Sequence, residues 1–241
     1  VFLNSTAMPT TPQGFTKRLE RLRADLAEQG HRVRAIVEAA FEATLARDPV
    51  RAAVVKAQDD VIDRVDVDVE KAAVALLTDA THENAKLDAS QLREVLTIVK
   101  INNELERIAD AAVDVASHAL ALKNTTGDIP PTFTVLTNSV QGILRDAVQA
   151  FNRSDPALAK VVLQSEDAVE AFLESVLKDA ERRIAAGTMS VDFAFSLHQI
   201  ANECCVMADH ATNMCEQIIY AVTGAIVRHQ QGGWVEVPRS A

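Results

Sequence analysis

Turn-makers and large flat side chains are scarce in this chain. Its 241 residues include 8 Gly, 7 Pro, 8 Phe, 1 Tyr and 1 Trp. Sandwiches, barrels and doubly wound sheets need many turns, so this scarcity argues against all three. Cysteine is scarce as well: Cys204, Cys205 and Cys215 are an odd number crowded into one segment, which suits a reducing compartment better than a disulfide framework. No apolar run approaches the ~18–20 residues of a membrane span, and the first residues lack the basic region of a signal peptide. Positive charge is in deficit, with 24 Lys and Arg against 34 Asp and Glu, a net charge of −10. Such a surface repels phosphate, which excludes nucleic acid and anionic lipid as electrostatic partners. What is abundant is core material, 48% of the residues being hydrophobic. These bounds predict a soluble, acidic, nearly all-helical cytoplasmic protein of one to two domains.

Residues 1–13, with Pro9 and Pro12, read as a flexible arm. From Thr16, Leu19, Leu22, Leu26, Val33, Ile36 and Ala40 recur at three- and four-residue steps, with a skip across Gln29 and Gly30. That is the seam of a bundle helix. Asp48-Pro49 ends it, and Val55, Ile62, Val69, Ala73 and Leu77 mark a second helix. A polar loop is expected over Thr78 to Lys86. A third helix runs from about Ala89 to Leu122, burying Ile98, Ile101, Leu105, Ala109, Ala112 and Ala116. Gly127 and the Pro130-Pro131 pair then make the strongest break.

The second part repeats the plan, with helices over about Phe133–Phe151, from Pro156 to about Ala186, and over about Val191–His229. A shift of 107 places lays Asp48-Pro49 on Asp155-Pro156 and matches 6 of 16 residues through Asp63; a shift of 99 lays Ile101–Ala112 on Ile200–Ala211 and matches 6 of 12. The difference puts an eight-residue insertion between the second and third helices of the first unit. The predicted fold is therefore all-α, two tandem three-helix bundles: repeats at 14–126 and 127–230, then an irregular tail at 231–241. The lone Trp234 in that tail reads as local packing or as a docking handle.

The repeat carries acids at fixed places. Asp59 and Asp63 lie four apart on the second helix, Glu106 and Asp110 four apart on the third, so each pair points from one side. Both pairs fall at the margin of an apolar stripe. If those margins face each other, four carboxylates line a shallow groove. Like charges held together raise one another's pKa and destabilise the fold unless something positive joins them. A metal ion is the compact solution, as in other carboxylate-bearing bundles; oxygen donors suit Mg, Mn, Ca or ferric Fe, with Zn also admissible. The same spacing also fits ordinary ion pairs on a solvated helix, such as Lys56–Asp60. In the second repeat the corresponding residues are Glu166, Glu170, Cys205 and Asp209. Cys205 is either a thiolate ligand or a small core residue in a decayed site.

Leu92-Arg93, Ile101-Asn102-Asn103-Glu104-Leu105-Glu106-Arg107-Ile108-Ala109-Asp110 and Asp59-Asp60-Val61-Ile62-Asp63 resemble the signature of the PhoU family. So does the run from Ala208-Asp209-His210 through Ile218-Ile219-Tyr220 to Gly224. The likeness spans roughly residues 16–230, including the tandem repeat. It implies paired three-helix bundles with metal ions on an acidic surface: a first site at Asp59, Asp63, Glu106 and Asp110, and a second at Glu166, Glu170, Cys205 and Asp209, where Cys205 and Val206 depart from the expected Glu and Arg. It further implies a cytoplasmic, non-enzymatic adaptor, commonly a homodimer, that restrains phosphate uptake and phosphate-starvation signalling. Its partners would be the ATPase of a phosphate ABC transporter and a membrane sensor histidine kinase. A metal-free scaffold serving another transporter is the alternative. A ferritin-like di-metal enzyme would need two Glu-x-x-His motifs, and only Glu28-Gln29-Gly30-His31 is present.

Overall fold

The computed structural model describes residues 12–230 and 233–237. Eight helices and one hairpin follow in order: α1 (Pro12–Leu45), α2 (Pro49–His82), α3 (Ala89–Ser117), α4 (Ala119–Lys123), α5 (Pro131–Arg153), α6 (Pro156–Leu163), α7 (Glu166–Ala185), α8 (Val191–Thr223), β1 (Ile226–Gln230) and β2 (Gly233–Val237). Helices α1, α2 and α3 pack as the first bundle; α5, the α6–α7 pair and α8 form the second. No described helix is long and apolar enough to cross a membrane.

The repeated Asp-Pro is a helix start. Asp48 accepts from the backbone N–H groups of Val50 and Arg51, and Asp155 accepts from those of Ala157 and Leu158. Proline occupies the first helical position in both, where its missing N–H costs nothing. Each cap contributes about 0.5–2 kcal/mol. Just before each Asp a residue turns left-handed, Arg47 with φ 52° and Ser154 with φ 50°. The next N–H then closes back on the preceding helix: Asp48 on Ala43 and Asp155 on Ala150, at 2.8 and 2.9 Å.

The expected stripes on α1 and α3 are all buried. The skip on α1 has a cause. Gln29 is fully buried and donates through Nε2 to the Ile62 carbonyl at 2.8 Å, while Gly30 brings α1 close to Val148 of α5. On α2 the buried residues continue through Leu76 and Ala80, with Leu77 only partly buried.

The expected boundaries change in five places, the first being the third helix, expected to reach Leu122, which ends at Ser117 and passes through His118 into the short α4. The flexible arm largely lies outside the described residues, but α1 already begins at Pro12. Residues 78–82 are helical, so the extra residues of the first repeat chiefly lengthen the facing ends of α2 and α3; its loop, 83–88, is close in length to 186–190. The helix expected from Pro156 to Ala186 is broken after Leu163. Gln164 and Ser165 there bond back only three residues, and the Ser165 hydroxyl takes the Val161 carbonyl. Finally, α8 stops at Thr223, because Gly224 adopts a left-handed cap. The region expected to be helical end and irregular tail instead pairs antiparallel, from Ile226 opposite Val237 to Gln230 opposite Gly233. Arg228 ties β1 to α8 by donating to buried Glu216 at 2.6 Å. Trp234 lies in β2 opposite His229, and its side chain is outside the described residues.

The two bundles meet most extensively along α3 and α8. Two arginines of α1 and its turn also reach into the second bundle. Arg23 donates to the Phe151 carbonyl and the Ser154 hydroxyl and lies over the Phe151 ring. Arg47 donates to the Gly127 carbonyl at 2.6 Å and lies over the Phe193 ring.

Candidate functional site

α2 and α3 pack with their apolar stripes inward: Val55, Ile62 and Val69 on one, Ile98, Ile101, Leu105 and Ala109 on the other. A residue one helical step off such a stripe must sit at the seam, half covered and half wet. Asp59 and Glu106 are half-buried there, and Asp63 and Asp110 stand exposed on its rim.

The seam brings all four together electrostatically. The Asp59 carboxyl is pushed up to about 6, chiefly by burial and then by the charges of Asp63, Asp110 and Asp60. Glu106 is raised by burial, then by Asp110, Asp66 and Asp63, against a lowering from Arg107. Asp110 is raised by burial and then by Asp63 and Asp114, partly offset by a hydrogen bond with Glu106 and by Arg107. The charges acting on each acid come from the other helix as well as its own, so the two margins do face each other.

Two partners of this strip lay outside the acidic pairs read from spacing. Asp66 is half-buried and raised by burial, then by Glu70 and Asp63. Asn102 is buried against it, donating to the Asp66 carbonyl at 3.0 Å and to its Oδ1 at 2.6 Å. A signal was present: 59, 63, 66 and 70 advance by alternating four- and three-residue steps, a continuous helical stripe. The strip also runs on past Asp110, because the charge of Asp114 raises both Asp110 and, across the bundle interface, half-buried Glu203 of α8.

As a cation site the strip fits in its donor chemistry. Its donors are carboxylate oxygens suited to hard ions, and Asp59 Oδ1 is buried with no hydrogen-bond partner among the described residues. In its geometry it is open: among those residues no three His, Cys, Asp or Glu side chains stand close enough together to hold a metal ion, so the acids would have to draw in around one.

In the second repeat three of the four expected residues come together. The Cys205 thiol is pushed up to about 11 by burial, then by Glu170 and Glu166. A thiol so raised is protonated at neutral pH and yields its proton to a metal reluctantly. Asp209 is exposed one turn along α8, where the Asn213 amide reaches it at 3.4 Å. His210 turns instead toward α3, its Nδ1 2.7 Å from Glu104 Oε2. Cys204 and Cys215 are buried in the core, and burial raises both thiols.

Comparison with known proteins agrees with this architecture. The family described as the PhoU domain matches residues 26–119 and 134–218, one copy in each repeat. The chain is 27% identical over 212 residues to "Phosphate-specific transport system accessory protein PhoU homolog 1" of Thermotoga maritima, covering 87% of this chain and 89% of that protein. A homologue from Pseudomonas putida carrying the corresponding description is 29% identical over 220 residues, covering 90% and 84%. The crystal structure of PhoU from Pseudomonas aeruginosa superposes with a TM-score of 0.80 at 26% identity, covering 87% of this chain and 99% of that one. A phosphate transport system regulatory protein from Streptococcus pneumoniae, at 21% identity and a TM-score of 0.80, shares the fold.

Proposed function

The chain belongs to the PhoU family, and from that premise we propose that it is a cytoplasmic regulatory adaptor of phosphate transport, not an enzyme. In this reading it restrains a phosphate ABC transporter through the transporter's ATPase, and phosphate-starvation signalling through a sensor histidine kinase. Homodimerisation belongs to the same proposal. Its first support is the match of both repeats to one family whose named relatives are phosphate-specific transport accessory proteins.

The observation that carries the metal part is the convergence of Asp59, Asp63, Glu106 and Asp110 on one seam with an unpartnered buried Asp59 oxygen. These residues would hold a hard cation such as Mg, Mn, Ca or ferric Fe, or Zn. The ion would neutralise the strip and offer positive charge to a partner's anionic groups. Glu166, Glu170, Cys205 and Asp209 would form a weaker second site, altered by its thiol.

The test has two arms. Purified protein is measured by elemental analysis alongside Glu106→Gln/Asp110→Asn, in which metal is expected to fall sharply; equal metal in both refutes the site. Separately, binding to the transporter ATPase is measured before and after chelation. Loss of binding supports a cation-dependent docking face, unchanged binding favours the metal-free scaffold, and no binding in either state removes the adaptor role.

A further inference from the structure

Asn102 is 1% exposed and bonded through Nδ2 to Asp66 alone, once at the carbonyl and once at the carboxylate. Its amide oxygen, Oδ1, has no hydrogen-bond partner among the described residues. A buried acceptor without a donor costs folding free energy, so its retention calls for a reason. The second repeat is an internal control. At the positions of Asp66 and Asn102 it carries Leu173, half-buried against the core, and Ala201, buried within it. The fold needs only apolar residues there.

Asn102 and Glu106 lie one turn apart on the same side of α3, and Asp66 sits across from both, bonded to the first and within electrostatic reach of the second. With Nδ2 committed to Asp66, Oδ1 remains as a neutral oxygen donor next to the Asp66 carboxylate and on the same side of α3 as Glu106. We propose that Asp66 and Asn102, sharing Glu106 with the first site, form a second subsite for a hard divalent cation, further along the strip from Asp59 and Asp110 and confined to the first repeat. This rests on the reading of the strip as cation-holding. An amide oxygen between carboxylates is the donor set of Ca and Mn sites and not of thiolate-type Zn sites. Asn102 has a double part, positioning the Asp66 carboxylate and supplying an oxygen.

Equilibrium dialysis of the full chain against Mn2+ tests it. The variant Asp66→Leu/Asn102→Ala copies the second repeat; it is expected to bind about one equivalent less than the unaltered protein and, without metal, to melt higher. Asn102→Asp keeps an oxygen and adds charge, and is expected to tighten Mn2+ binding at the subsite about tenfold. An unchanged count in the first variant, or unchanged affinity in the second, overturns the subsite while leaving the rest of the strip standing. If the unaltered protein takes up no Mn2+ and no Ca2+, the reading of the whole strip falls, and the subsite with it. Asp59→Asn is expected to leave the Asn102-dependent equivalent in place.

Discussion

Glu104 Oε2 lies 2.7 Å from His210 Nδ1, joining α3 of the first bundle to α8 of the second. The internal repeat does not duplicate this contact. The counterpart of Glu104 is Glu203, but the counterpart of His210 is Ala111. Glu203 therefore faces no equivalent imidazole; it is raised by burial and by the charge of Asp114. The interface between the bundles is thus a polar clamp on one side and a pair of like charges on the other.

Replacing His210 by Ala, the residue its repeat counterpart carries, is expected to destabilise the fold by about 1 kcal/mol in denaturant unfolding, the usual worth of one hydrogen bond. Glu104→Gln should cost less, since an amide can still bond to the imidazole. A double-mutant cycle over the two should show clear coupling, and additive effects would make the contact incidental.

The raised carboxyls set a pH dependence for the metal-free protein. Asp59 moves from 3.8 to about 6 on folding, so the native state holds its proton more tightly than the unfolded chain. Linkage then gives stability that is full below about pH 4 and lost as pH climbs through about 6. Considered for this group alone, the melting temperature of chelated protein should fall over that window. Asp59→Asn should flatten the fall, and added divalent metal should reverse it above pH 6. An unchanged slope in Asp59→Asn would place the effect elsewhere.

The protonated Cys205 gives a different readout. With its thiol near 11, alkylation by iodoacetamide at pH 7 should be far slower than for an ordinary exposed thiol, because only the thiolate attacks. Cys205→Glu restores the donor that the first repeat has in Glu106. It should add metal uptake at Glu166 and Glu170, measured by elemental analysis. If it adds none, the second groove is too open to hold an ion whatever its donors.

Gly127 sits where the linker crosses α8. A methyl group there would meet the Phe193 ring at 2.8 Å, and Phe193 is fully buried with Arg47 lying over it. Gly127→Ala should therefore cost about 1–3 kcal/mol through overpacking, read as a lower urea midpoint with unchanged slope. A neutral substitution would show that this corner of the second bundle yields easily.

Periodicity and the displaced repeat were enough to mark the long helices and the two-bundle plan, because burial on a helix leaves a three-to-four-residue stripe in the chain. The acidic pairs were legible for the same reason: four residues return a side chain to the same side. That their margins meet, so that Asp110 on α3 acts on Asp59 of α2, is a matter of how α2 and α3 are rotated against each other, and rotation is decided by packing. Asn102 stood in the sequence only as one letter of the motif from Ile101 to Asp110; its burial against Asp66 came from the fold. The hairpin was missed because two short strands leave little pattern in the chain, and what ties β1 to α8 is an ion pair between Arg228 and Glu216. Local sequence thus determined the long helices and their wet and dry sides, since those depend on neighbours a turn away. Only tertiary packing decided which acids share a seam, which amide oxygen is stranded and which histidine bridges the bundles, since each joins groups distant in the chain.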